Sequence, residues 1–203
     1  RDRPLERLPE QGPKHTYDVE AAKALLAEAG YPDGFTCSLM IADSSLRNSM
    51  ALAIQEQLAQ IGVTVDINKV STDEHTAYQF GEKLDANGLR DYDMIMAGWE
   101  ADYPDPSGNL TPLYQGGNSS NAAAYQNDEV DKLIADQAQS SDPTQRNDDM
   151  FQAFDIITQD VPYVFLYYPV KNIAMNKAYT GVTMNASWIW NIHFQSVHPV
   201  SEG

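Results

Sequence analysis

Apolar positions along this chain recur with two different periods, and the period changes at glycine and proline. Asp18 precedes a run in which Ala22, Leu25, Leu26 and Ala29 share one helical face, so a capped helix is predicted over Val19 to Ala29, stopped by Gly30. Pro32-Asp33-Gly34 reads as a turn, and residues 35–41 then alternate, with Phe35, Cys37, Leu39 and Ile41 on one side of a strand. Over residues 45–60 the spacing returns to four: Leu46, Met50, Ile54 and Leu58 form a stripe that Ile61 closes and Gly62 ends. Val63, Val65 and Ile67 alternate again and predict a second strand.

A shorter helix is expected over 73–85 with Tyr78 and Leu84 inward, followed by a buried strand over 92–97. This β-α-β-α-β rhythm predicts an α/β layer with parallel strands. Residues 99–126 hold Pro104, Pro106, Pro112 and Gly116-Gly117 and read as one long irregular stretch, a length that is uncommon without a function. Helices are predicted over 128–140 and 143–160. Asp142 caps the second, Pro143 takes its first position, and Met150, Phe151, Phe154, Ile157 and Thr158 form its apolar face. Beyond Pro162, the run Tyr163 to Tyr168 reads as a buried strand and the remainder as β-rich. Residues 1–16, with Pro4, Pro9 and Pro13, read as a lead-in or linker, and residues 17–203 as one unit. The opening Arg1-Asp2-Arg3-Pro4-Leu5 is expected to be the interior of a longer protein.

Composition narrows the function classes. Hydrophobic residues make up 42% of the 203 positions, enough for a core. The net charge of −16, from 29 acidic and 13 basic residues, disfavours nucleic acid and anionic lipid as partners. No apolar run approaches the ~18 residues of a membrane span, so direct membrane insertion by this chain is not expected. The single cysteine, Cys37, excludes an internal disulfide and reads as a core residue.

Candidate chemistry gathers at one place. A strand ends on Gly98-Trp99, and a stiff acidic loop follows, Glu100-Ala101-Asp102-Tyr103-Pro104-Asp105-Pro106. Ligands of open α/β sheets bind beyond the carboxyl ends of strands. There Asp102, between the rings of Trp99 and Tyr103, is equipped to hold a cationic group. Asp102 with Asp105 could also form a glycosidase pair, although Glu100 and Asp105 read more simply as solvated loop. His15, His75, His193 and His198 fit no common metal spacing, no G-x-S-x-G elbow occurs, and Gly116-Gly117 lacks the context of a phosphate loop. Neither metal nor cofactor is expected. Tyr163, Phe165, Tyr167 and Tyr168 read as core, as do Trp188 and Trp190, and Asn118-Ser119-Ser120-Asn121 as a polar loop that offers Asn121 as a ligand contact.

These residues carry a resemblance. The run from Asp91-Tyr92-Asp93-Met94 through Gly98-Trp99-Glu100-Ala101-Asp102-Tyr103-Pro104-Asp105-Pro106 resembles the oligopeptide- and dipeptide-binding proteins of ABC importers, the family 5 extracellular solute-binding proteins. The helix from Asp18 to Tyr31, the helix-to-strand step from Ala53 to Val65 and the helix start from Tyr125 to Ile134 are similar to the family's in the same order, together covering about residues 17–170.

The resemblance implies a periplasmic-binding-protein-like type II lobe, α/β with a mixed sheet flanked by helices, and corresponds to the C-terminal lobe of a longer two-lobed protein whose N-terminal lobe lies outside this chain. It implies capture of oligopeptides or dipeptides between lobes and delivery to an ABC permease, outside the cytoplasm, in the periplasm or at the cell surface as a lipoprotein. By the Trp-x-x-Asp pattern, Asp102 would bond the ligand's α-amino group and Trp99 would line the cleft. Arg47, after Ser44-Ser45-Leu46, matches a position that is basic in some oligopeptide binders and reaches the ligand carboxylate. Met94 and Met96 stand where some members carry arginines, so that second clamp is not expected. Same-fold proteins that bind nickel complexes, haem or sugars leave the solute open. An enzyme is the less expected alternative.

Overall fold

The computed structural model describes residues 16–170, 172–183 and 194–200. Its first half is a three-stranded parallel sheet in the order β2-β1-β3, with β1 spanning Thr36–Ala42, β2 Thr64–Val70 and β3 Met94–Ile95. Thr36 pairs with Thr64 and the register runs to Ala42 with Val70, while β3 meets the other edge of β1 through Leu39 with Met94 and Met40 with Ile95. The central strand is covered on both faces, which is why Leu39, Met40, Ile41 and Ala42 are all buried rather than alternating.

Three helices serve this sheet: α1 over Val19–Glu28, α2 over Ser45–Ala59 and α3 over Thr72–Gln79. Asp18, Ser44 and Ser71 cap them by accepting from the amides of Ala21, Arg47 and Glu74. In α2 the predicted stripe holds at Met50, Ile54 and Leu58, but the residue pressed fully into the core is Ala51, whose small side chain lets the helix close on the strands. Leu46 lies outside, 57% exposed. Two glycines permit the tight approach of the β1 and β2 entry turns. Gly34 sits at φ +77, and a Cβ there would lie 2.0 Å from the carbonyl oxygen of Gly62, itself at φ +84.

The second half is a helical layer: α4 over Ser107–Tyr114, α5 over Asp128–Gln139 and α6 over Pro143–Asp160. Its core joins Leu110, Tyr114, Val130, Leu133, Ile134, Met150, Ala153 and Ile157. The Tyr114 ring stands edge-on to Tyr125, Phe154 and Tyr163, at centroid distances of 6.4, 6.5 and 5.5 Å. Asn127 caps α5, Asp142 caps α6, and Pro143 opens α6 as predicted. Arg90 ties the two layers: its guanidinium donates to the carbonyls of Tyr78 and Gln79 on one side and of Ser119 and Asn121 on the other.

Several expectations are corrected. The stretch 99–126 is not irregular throughout, because α4 forms inside it despite Pro112. In α3 the inward residues are His75 and Gln79, not Tyr78 and Leu84. The helix ends before Leu84, which is 47% exposed. Residues 92–97 pair over only two positions. Phe35 precedes β1 and is 40% exposed, leaving Cys37, Leu39 and Ile41 as the core-facing set. On α6, Phe151 is 37% exposed and Thr158 faces out, while Asp149 and Ala153 turn inward.

Tyr163 to Tyr168 forms no strand. Val164 is 75% exposed and Tyr168 88%, and the segment pairs with neither sheet. The mixed character of the β-structure comes from a separate antiparallel pair, β4 at Tyr179–Thr180 and β5 at His198–Pro199. Residues 1–15, with His15, and 184–193, with Trp188, Trp190 and His193, lie outside the described residues.

Candidate functional site

β3 delivers the chain to the Trp99 loop, and α3 fixes where it emerges. His75 and Gln79, one helical turn apart, reach alternate carbonyls on that path. His75 Nε2 is 3.2 Å from the Met96 oxygen and Gln79 Nε2 is 2.9 Å from the Gly98 oxygen. A carbonyl only accepts, so Nε2 of His75 carries the hydrogen. Burial lowers the His75 pKa, and the nearby Arg47 guanidinium lowers it further, so the ring is held neutral against the partial opposition of the Met96 bond.

The loop then folds back on the first turn of α4. Trp99 Nε1 donates to the Gly108 carbonyl at 2.9 Å. Tyr103 lies over Gly108, where a Cβ would meet its ring at 3.4 Å and the Ala101 Cβ at 3.1 Å. Asp105 closes the loop. Its Oδ1 accepts from the Ser107 amide and hydroxyl, and the carboxylate takes two bonds from Arg146 of α6, at 2.6 and 3.1 Å. The Arg146 hydrogen bonds lead in pulling the Asp105 pKa down to about 2, helped by Ser107 and against some burial. Asp105 was expected to be solvated; it is instead the loop's anchor. Both oxygens of Asp105 are already engaged by Arg146 and Ser107, which speaks against its serving as one of a glycosidase pair.

Asp102 is different. It is exposed, and among the described residues its carboxylate has no hydrogen-bond or ion-pair partner. Three carboxylates within six residues therefore have three situations, and only Asp102 is uncommitted, since Glu100 has interactions of its own.

The loop borders a cleft of about 2020 Å³ that reaches from the end of β3 to the α4–α6 layer. Trp99, Ala101, Tyr103, Arg47, Met94 and Tyr92 are among its lining residues, as are Val164 to Tyr168. Asp102 is not in the wall itself; its neighbours Ala101 and Tyr103 are. Single small-molecule pockets measure roughly 300–1,000 Å³, so this space suits a longer ligand or a second surface. The structure thus brings Trp99, Tyr103 and Arg47 to one cleft, with Asp102 at its rim. Asn121 stands apart. It is 2% exposed, its Oδ1 accepts from the Tyr125 amide, and its Nδ2 donates to the Gln115 and Tyr125 carbonyls, so it holds the 115–125 turn. Cys37 is buried, and burial together with Asp93 and Asp66 raises its thiol pKa, as suits an inert core residue. Among the described residues no cluster of His, Cys, Asp and Glu could hold a metal ion, and no helix is long and apolar enough to cross a membrane.

Comparison with known proteins gives this geometry its context. Bacterial extracellular solute-binding proteins, family 5 Middle, match residues 5–121. The glutathione-binding protein GsiB of Salmonella typhimurium is 34% identical over 173 residues, covering 81% of this chain and 33% of its own length. The chain thus spans about a third of the length of the curated relatives it matches. Among solved structures, the oligopeptide-binding protein AppA of Bacillus subtilis in complex with a nonapeptide superposes with a TM-score of 0.77 at 25% identity, over 94% of this chain and 39% of that one. A dipeptide-binding protein of a Pseudoalteromonas species in complex with Met-Leu gives a TM-score of 0.68 at 26% identity, over 91% of this chain and 36% of that one. The chain belongs to the bacterial extracellular solute-binding proteins, family 5.

Proposed function

We propose that this chain is the C-terminal lobe of the substrate-binding component of an ABC importer, and that the whole protein captures short peptides in a cleft between two lobes. The observation that carries the reading is the uncommitted Asp102 carboxylate at the rim of a cleft lined by Trp99 and Tyr103. An ammonium group is the complement of that constellation, because the carboxylate supplies charge and the ring faces add cation-π attraction. Relatives solved with Met-Leu and with a nonapeptide, and others named for glutathione, support a peptide as the source of the ammonium.

In this reading Asp102 anchors the peptide's α-amino group, Trp99 and Tyr103 pack beside it, and Arg47 is placed for a ligand carboxylate. The peptide backbone bonds main-chain groups, which leaves side-chain recognition permissive. Closure of the lobes buries the pair, and the closed protein hands its ligand to a permease outside the cytoplasm. Asn121 is left out of the binding set because its amide is fully engaged. Nothing in the site favours catalysis, since Asp105, the required second carboxylate, is fixed by Arg146.

The test is calorimetry on the full-length protein with a library of di- to pentapeptides, followed by the best single binder. Asp102→Asn is expected to weaken that peptide by about 2–5 kcal/mol, the range for losing one partner of a buried charge pair. Equal affinity for the two proteins would reject Asp102 as the anchor.

A further inference from the structure

The Trp99 indole is held by a carbonyl that should not be free. In a regular helix the Gly108 carbonyl of α4 would accept from the amide four residues on. That residue is Pro112, which has no amide hydrogen. The vacated oxygen is where Trp99 Nε1 donates, at 2.9 Å. Gly108 contributes twice, because its missing Cβ is also what lets Ala101 and Tyr103 settle on the same turn. A proline inside a helix of eight residues costs local stability, so its presence calls for a return elsewhere.

We propose that Pro112 and Gly108 are positioning residues for ligand binding. Pro112 reserves the Gly108 carbonyl for the indole, Gly108 gives the Ala101–Tyr103 step room, and together they preset the ring that lines the cleft. The seat is a property of the loop itself, whereas its consequence for affinity rests on the peptide-binding reading above.

The indole seat and its role in binding separate experimentally in the full-length protein. In Pro112→Ala the restored amide competes with the indole for Gly108. The Trp99 Nε1 proton, assigned by its loss in Trp99→Phe, is expected to exchange faster with solvent. At the same time the melting temperature stays level or rises, because a helix breaker is gone. Affinity for the best-binding peptide is expected to fall about 2- to 30-fold, the range for residues that act through another. Stability and binding would thus move in opposite directions, which a merely structural proline would not produce. In a Trp99→Phe background Pro112→Ala should cost no further affinity, since there is no indole donor left to displace.

Unchanged indole exchange in Pro112→Ala overturns the seat. Faster exchange with unchanged affinity, or the same affinity loss with and without the indole, overturns its role in binding. If the wild-type protein binds no library peptide, the peptide reading fails together with that role, and the exchange measurement still decides the seat.

Discussion

Two apolar runs of similar length, Cys37 to Ala42 and Tyr163 to Tyr168, meet opposite fates. In the first, Met40 and Ile41 are at most 1% exposed; in the second, Phe165 is 71% and Tyr168 88% exposed. Composition does not separate them, and the second is the more aromatic. Partners do. β1 has β2 on one edge, β3 on the other and helices over its faces, whereas in the second run it is Tyr163 that is tied down, through its ring against Tyr114 and its hydroxyl at Ala123 and Leu113. An apolar run becomes core only where the topology brings something to cover it. The uncovered run lines the same cleft as Trp99 and Tyr103, and in the proposed two-lobed protein that is where the other lobe would meet this one.

The contrast can be broken by truncation. Ile41→Ala, which opens a cavity beside a fully buried strand, is expected to cost about 2–5 kcal/mol in denaturant unfolding of this chain. Phe165→Ala in the same chain should shift stability by no more than ~0.5 kcal/mol, the usual range for a surface change. Comparable losses for the two would mean that the second run is covered after all. In the full-length protein the Phe165→Ala cost should rise if the other lobe packs there.

Titration sharpens the comparison further, because the two layers should soften in different pH windows. His75 sits under the sheet with its pKa lowered, so the unfolded chain takes up a proton first. Its contribution is intact above the ordinary imidazole value and is lost as pH falls below about 6.5. Asp105 ties the loop to α6 with its pKa lowered to about 2, so its contribution is intact above the ordinary value of 3.8 and is lost as pH falls from there towards about 2. The second effect is small beside Ile41→Ala, since the Asp105 pair is about a third exposed and screened by solvent. Melting temperatures between pH 8 and pH 3 should show the first step disappear in His75→Gln and the second in Arg146→Met. Identical profiles for the wild type and His75→Gln would reject the first assignment.

Much of the fold was legible in the sequence because local signals agreed with topology. Asp18 and Asp142 each cap the helix their spacing predicts, and Val65 and Ile67 alternate as the strand they form. Legibility failed where a tertiary partner overrode a local signal. Pro112 argued against a helix, but an indole from another segment compensates the lost bond. Tyr78 and Leu84 were the inward candidates on α3, yet it is the polar His75 and Gln79 that turn in, each to a carbonyl at the exit of β3. Asp105 looked solvated because its partner lies 41 residues away on α6. In the candidate site the aromatic and acidic residue types were readable from sequence. Asp102 stood out among the three carboxylates already there, but the engagement of Asp105 did not, because it depends on Ser107 and the distant Arg146.

The proposed pairing of Asp102 with a peptide's α-amino group can be probed by chemistry on the ligand. Calorimetry on the full-length protein would compare the best-binding peptide with its N-acetylated form, which lacks the ammonium, against wild type and Asp102→Asn. Acetylation is expected to cost the wild type about 2–5 kcal/mol and the variant much less, because the partner charge is already gone. An equal acetylation cost in both proteins, or none in the wild type, would contradict the assignment.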